Sequence, residues 1–160
     1  LGDAAAALAL LQRDGSVPGA LRARLDRPVP RIAAGWALAG LAHACIDVSD
    51  GLLADLAHVC TASGVGAEVQ VDALPCSAAL AALACDVQQR RAWQASGGDD
   101  YELCFTAAAG ARDDVQRRLS AVGVAATCIG RIVPGQGVRV LDREGQAWQA
   151  SQVGYRHFIG

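Results

Sequence analysis

The sequence predicts an α/β domain in which helices pack against a mixed sheet. Three observations carry that expectation. Segments with helical apolar spacing alternate along the chain with short segments of strand-like alternation. The chain has 160 residues, enough for one domain with a real core. Hydrophobic residues make up 52%, yet Gly, Arg, His or Asp interrupts every apolar run well short of a membrane span.

The elements follow in order. A first helix is expected over 3–12, where Ala4 to Leu11 form an apolar helical pattern. A second is expected over 30–42, with Pro28 and Pro30 marking its entry. A strand over 43–48 runs into a helix over 51–63, which places Leu52, Leu53, Leu56, Val59 and Cys60 at helical spacing. Ser63-Gly64-Val65-Gly66 ends it, and the clean alternation of Ala67 to Asp72 reads as a strand. Ala-rich helices are expected over 77–84 and 86–95, then a strand over 101–107. A helix over 110–121 places Val115, Leu119 and Val122 on one face. Strands over 126–131, 137–141 and 147–149, with a turn at Arg143-Glu144-Gly145, complete a mostly continuous sheet. There are no internal repeats.

Asp47-Val48-Ser49-Asp50-Gly51-Leu52 lies where the strand gives way to the helix. Extended side chains alternate, so Ile46 and Val48 point to one face and Asp47 and Ser49 to the other. Asp50 then starts the helix, and Gly51 allows close approach to the backbone. Two carboxylates and a hydroxyl converge there, which suits Mg²⁺, a hard cation that takes oxygen ligands and shares them with substrate phosphates. The same residues also suit a helix cap, since Ser49 or Asp50 can accept from free N–H groups. Taken alone, these six residues favour the cap over the metal site.

A second constellation follows at Ser96-Gly97-Gly98-Asp99-Asp100-Tyr101-Glu102-Leu103. A Gly pair frees the backbone, an acidic pair follows, and the chain enters a strand through Tyr101, Leu103 and Phe105. Taken alone, this is equally a tight turn with solvated carboxylates.

Together the two segments resemble thiamine-monophosphate kinase, of the superfamily that includes aminoimidazole ribonucleotide synthetase. The matching stretches run in the family's order. They are Leu1-Gly2-Asp3-Ala4-Ala5-Ala6, Arg27-Pro28-Val29-Pro30-Arg31, Ile46 to Leu52, Gly97 to Leu103, and Gly154-Tyr155-Arg156-His157-Phe158. The resemblance covers essentially the whole chain and implies the mixed-sheet C-terminal domain of that superfamily. It further implies that residues 1–160 are the C-terminal domain of a longer two-domain kinase. The N-terminal half, with much of the ATP and Mg²⁺ site and the homodimer contact, would lie elsewhere. A chain that starts at Leu1 and contains no Met fits that expectation.

By resemblance, Asp47 and Asp50 match Mg²⁺-binding aspartates, Ser49 an ATP contact, and Asp99 and Tyr155 residues that hold the substrate. Asp99 stands where the family usually has Glu, so the shorter side chain must reach through water or from a closer loop. The implied reaction moves the γ-phosphate of ATP directly onto thiamine monophosphate, with Mg²⁺ as cofactor. No residue is given a nucleophilic or acid–base role.

Composition narrows the alternatives. The net charge of −2 offers no field for nucleic acid. All 14 basic residues are Arg, so a P-loop, Schiff-base or protein-kinase lysine is excluded within this chain. The six cysteines show no paired metal spacing, and Cys45, Cys60, Cys104 and Cys128 sit in apolar segments as expected core thiols. No targeting or membrane segment is visible, and a cytoplasmic location is expected. His58, on the helix after the acidic stretch, reads as a surface or half-buried residue.

Three other readings remain at this point. They are another ATP-dependent enzyme of the superfamily, such as a selenophosphate or aminoimidazole ribonucleotide synthetase, a non-catalytic binding domain, or a stand-alone metal binder. The Gly-Gly-Asp-Asp-Tyr-Glu-Leu stretch favours the thiamine branch. Two aspartates without further protein ligands make a poor metal site of their own.

Overall fold

The computed structural model describes residues 1–149. Helix α1 (Asp3–Asp14) is followed by α2 (Gly19–Asp26) and α3 (Ile32–Leu38). Strand β1 (Ala42–Asp47) runs into α4 (Leu52–Ser63), then β2 (Gly66–Gln70). After a 3₁₀ turn at Val71–Ala73 come α5 (Ala78–Ala81), α6 (Val87–Ser96) and β3 (Leu103–Ala107). Helix α7 (Arg112–Ala121), β4 (Gly130–Val133) and β5 (Gly137–Leu141) complete the order.

The α/β class holds, but the strands divide between two sheets rather than one. β1 pairs with β3 antiparallel. The other sheet is mixed, with β2 central, antiparallel to β4 and parallel to β5. A cleft of about 340 Å³ separates β3 from the 123–129 stretch, lined by Leu103, Phe105, Val124, Ala126 and Ile129. The strand expected at 126–131 therefore begins only at Gly130, and that expected at 147–149 is a single bridge from Ala147 to Leu141.

Three apolar clusters hold these layers. The largest joins Leu52, Leu56 and Cys60 of α4 to Val69 of β2, Val140 of β5 and Ala95 of α6. A second packs Ala6, Ala7, Leu21 and Leu80 from α1, α2 and α5. The third sets Ala34 and Leu38 of α3 against Val115 and Leu119 of α7, over Leu103 and Phe105 of β3. α2 carries little apolar periodicity, yet its one fully buried residue, Leu21, anchors the second cluster. On the mixed sheet, Glu68 of β2 accepts from Arg131 of β4 and from Arg139 of β5, a cross-strand triad of opposite charges.

Two expectations about side chains need correction. Of the four cysteines expected in the core, Cys60 is buried, Cys104 is intermediate, and Cys45 and Cys128 are exposed. Cys45 lies on the outward phase of β1, whose burial alternates residue by residue. Val122 is 40% exposed because α7 ends at Ala121, one residue before the apolar stripe would turn it inward.

α4 is the structural hub, touching both sheets and α6. Its N-cap is Gly51, at φ +123°, and a Cβ there would lie 2.8 Å from the Ser96 carbonyl. The space that glycine leaves open is thus filled by the end of α6. Gly51→Ala should cost about 2–4 kcal/mol, from a conformation hostile to side chains plus a backbone clash. Gly110→Ala, with no atom within 4 Å of the added carbon, should cost under about 0.5 kcal/mol. Urea unfolding of both variants checks this, and equal costs would contradict it.

Candidate functional site

The site forms where two turns meet. The first leaves β1 and enters α4; the second leaves α6 and enters β3. Their main chains are stitched by three hydrogen bonds of 2.8 Å: Val48 N–H to Glu102 O, Tyr101 N–H to Val48 O, and Asp99 N–H to Ser49 O. The β1–β3 pairing thus runs past the strand ends and carries the two acidic stretches into register. Glycine is required at the closest point, since a Cβ on Gly98 would sit 2.6 Å from the Ser49 carbonyl. Gly97 is equally tight, 2.4 Å from the Ala5 Cβ by the same measure.

Asp47 is exposed at the end of β1, and Val48 beneath it is 1% exposed, so the alternation expected from sequence is present. Ser49 and Asp50 are half-buried in the turn, and the Ser49 hydroxyl donates to Asp50 Oδ1 at 3.3 Å. Asp99 is exposed, with its backbone at φ +64°. The structure brings Asp47, Ser49, Asp50 and Asp99 to one junction. Tyr155 lies outside the described residues.

The helix-cap reading of the first motif now has an answer. Asp55, in the first turn of α4 and 3% exposed, gathers the junction's donors. Its Oδ2 accepts the N–H groups of Ser49, Asp50 and Gly51 at 2.9, 3.1 and 3.2 Å. A carboxylate there also meets the positive end of the helix dipole. Asp55, an acid that the reading of 47–52 did not include, therefore braces the turn ahead of α4, whose N-cap Gly51 takes no side-chain cap bond. Its sequence signal was its place four residues after Gly51, at the start of an apolar helix.

Behind the second turn, two further acids point inward. Asp100 is 2% exposed, and its two oxygens lie 3.0 and 2.8 Å from the Gly2 N–H. Burial pushes its carboxyl up to about 6, against the opposing pull of the Gly2 hydrogen bond. Glu102 takes a two-pronged contact from Arg31, Nε to Oε2 at 2.8 Å and Nη2 to Oε1 at 2.6 Å. Arg24 Nη2 donates to the same Oε1 at 2.6 Å and to the Asp100 carbonyl at 3.0 Å. Burial raises the Glu102 carboxyl, but the hydrogen bond and charge of Arg31, with Arg24 behind, outweigh it and hold the group below its ordinary value. Arg31 lies in the Arg27–Arg31 stretch already matched to the family, where it had no role.

As a metal centre, the arrangement offers hard oxygen donors only. Among the described residues no three His, Cys, Asp or Glu side chains cluster as a complete metal site. Asp55 is committed to N–H groups, Asp47 is exposed at the strand end, and Asp50 is half-buried and accepts from the Ser49 hydroxyl. Carboxylate oxygens are the donor type that Mg²⁺ takes, in shells that water and phosphate oxygens complete. Asp50 and Ser96 also stand on the wall of a cleft of about 790 Å³, lined by Leu53, Val138, Val140 and Trp148.

Comparison with known proteins places this architecture. Residues 4–143 match the family model "AIR synthase related protein, C-terminal domain", and the chain belongs to that family. Among characterised sequences it is similar to the thiamine-monophosphate kinases. That of Salmonella typhimurium is 44% identical over 98% of this chain and 50% of its own length. That of Escherichia coli K12 is 41% identical over the same shares. Among solved structures, thiamine-monophosphate kinase from Stenotrophomonas maltophilia aligns with a TM-score of 0.85 and 46% identity, covering 92% of this chain and 48% of that one. AaThiL complexed with AMPPCP and TMP aligns at 0.74 and 31% identity, over 99% and 48%. The chain spans about half the length of the relatives it matches.

The Glu102 clamp gives a test of the site's electrostatics. Glu102→Gln should cost about 1–3 kcal/mol at neutral pH, because two part-buried arginines lose their shared anion. The sign follows from the lowered carboxyl: the contribution is complete above the unfolded value of about 4.3 and is lost as pH falls through the lower folded value. Urea unfolding at pH 7 should separate variant from wild type, and at about pH 3 the difference should shrink. An equal difference at both would assign the effect to shape rather than charge.

Proposed function

We propose that this chain is the C-terminal half of an ATP- and Mg²⁺-dependent kinase that phosphorylates thiamine monophosphate to thiamine diphosphate. The observation that carries the reading is the junction itself. Val48 and Ser49, set between Asp47 and Asp50, are fastened by main-chain bonds to the turn that presents Asp99. The similarity to thiamine-monophosphate kinases, one of them complexed with AMPPCP and TMP, supports the choice of substrates. By the same resemblance, the preceding half completes the nucleotide site and pairs two copies as a homodimer, and the enzyme works in the cytoplasm. Among the described residues no helix is long and apolar enough to cross a membrane.

In this reading, Asp47 and Asp50 hold Mg²⁺, Ser49 orients the nucleotide, and Asp99 and Tyr155 hold the acceptor. The attacking atom is a phosphate oxygen, already anionic near neutral pH, so no residue of the chain needs to remove a proton. The task is alignment of two anions. When bound, Mg²⁺ offsets their mutual repulsion and charge developing in transfer. Asp99 complements the cationic thiazolium or amino group of thiamine, a role for which an exposed carboxylate is suited. The 790 Å³ cleft beside Asp50 has the volume and apolar walls of a small-molecule site, with Trp148 as an aromatic face.

The direct assay incubates the full natural polypeptide that carries this sequence with ATP, Mg²⁺ and thiamine monophosphate. Thiamine diphosphate should form, whereas residues 1–160 alone should yield none. Absence of product from the complete polypeptide would remove the reading. Asp47→Asn should lower turnover on the order of 10²-fold, with little change in melting temperature because the side chain is exposed. Wild-type turnover at saturating Mg²⁺ would take Asp47 out of the metal site. Asp99→Ala and Tyr155→Ala should raise the KM for thiamine monophosphate more than that for ATP. Equal effects on both substrates would move these residues out of the acceptor pocket.

A further inference from the structure

We propose that Asp100 is a positioning residue for the acceptor site: its buried carboxylate, closed onto the Gly2 N–H, fixes the 97–101 turn so that Asp99 is presented beside Ser49 and Asp50. The proposal rests on the reading of Asp99 as an acceptor contact and adds the residue that aims it.

The two adjacent acids have opposite environments. Asp99 is exposed, while Asp100 is 2% exposed and directs both oxygens at a single donor. That donor is itself fixed. Gly2 sits at φ +84°, and a Cβ there would lie 2.8 Å from the Gln94 nitrogen. Only glycine fits the position, so packing of α1 against α6 sets the direction of its N–H.

The turn needs such a restraint. Asp99 and Tyr101, on either side of Asp100, have φ of +64° and +49°, and among the described residues they are the two non-glycine residues with positive φ. Side-chain-bearing residues avoid this region, and two in three positions persist only when the surroundings over-determine them. Three anchors do so. The N–H groups of Asp99 and Tyr101 are tied to Ser49 and Val48, the Asp100 carbonyl takes Arg24 Nη2 at 3.0 Å, and the Asp100 side chain pulls inward to α1. The first two anchors fix the height of the turn above β1. The third fixes its rotation, and with it the direction in which Asp99 projects.

The experiment uses the full natural polypeptide. Asp100→Ala should raise the KM for thiamine monophosphate about 10-fold or more, the scale of one lost charge-assisted hydrogen bond, and leave the KM for ATP within about twofold. Asp100→Asn keeps an acceptor for the Gly2 N–H and should recover most of the loss. Leu119→Ala, a destabilising change in the α3–α7 cluster, which includes neither Gly2 nor any residue of the 97–101 turn, should move neither KM. A rise shared by both substrates, a matching rise in Leu119→Ala, or no recovery by Asn would overturn the proposal. Amide hydrogen exchange at Asp99 and Tyr101 gives a reading independent of the reaction. It should quicken at least about 10-fold in Asp100→Ala, or in Asp100→Ser if alanine prevents folding, and stay unchanged in Leu119→Ala. Unchanged exchange would overturn the positioning role. Failure of the wild type to use thiamine monophosphate would instead sink only the functional reading and leave the exchange measurement to decide this one.

Discussion

The structure depends on main chain meeting main chain between the β1–α4 turn and the α6–β3 turn. Three short hydrogen bonds join them, and glycines at 51 and 98 let the backbones come within distances that no side chain would allow. Everything chemical at this junction is placed by that contact. α4 begins there, β3 begins there, and the two buried clusters that involve these elements grow outward from it. Hydrogen bonds of this kind contribute modestly one by one, but breaking one inside a closely packed turn leaves a buried group unsatisfied, which is the larger cost.

Six acidic side chains lie within these two turns and the first turn of α4, and the fold divides them by direction. Asp55, Asp100 and Glu102 face inward and are each satisfied: by three turn amides, by Gly2, and by Arg24 with Arg31. Asp47, Asp50 and Asp99 occupy the outward side. Gathering so much negative charge in one place would be unfavourable without the helix N-terminus and the two arginines close behind it. The inner acids hold the frame, and Asp47 and Asp99 lie exposed beside it.

Much of this was legible in the sequence where the signal is local. The apolar spacing of Leu52, Leu56 and Cys60 gave α4 within a residue, and the alternation around Val138 and Val140 gave β5 at its observed ends. Asp47 and Asp50 could be named because their types and spacing suit a cation, and Asp99 through the family resemblance. The inward acids could not, because their partners are distant in the chain: Gly2 is 98 residues from Asp100, and Arg31 is 71 from Glu102. Asp99 and Asp100 are chemically identical neighbours, and only the positive φ between strand and turn sends one out and the other in. α2 was missed because tertiary packing of Leu21, rather than periodicity, secures it. The parting of the sheet was invisible because a strand pattern does not say which strand it will pair with.

A frame built from amides and carbonyls has one more consequence. Backbone atoms are the same whatever residue carries them, so the alignment of the two turns is indifferent to the side chains at 47, 49, 50 and 99. The chemistry at the junction can therefore change by single substitutions without rebuilding the architecture beneath it. Evolvability here is a property of the main chain: what is inherited rigidly is a geometry, and what is open to selection is the set of groups displayed on it.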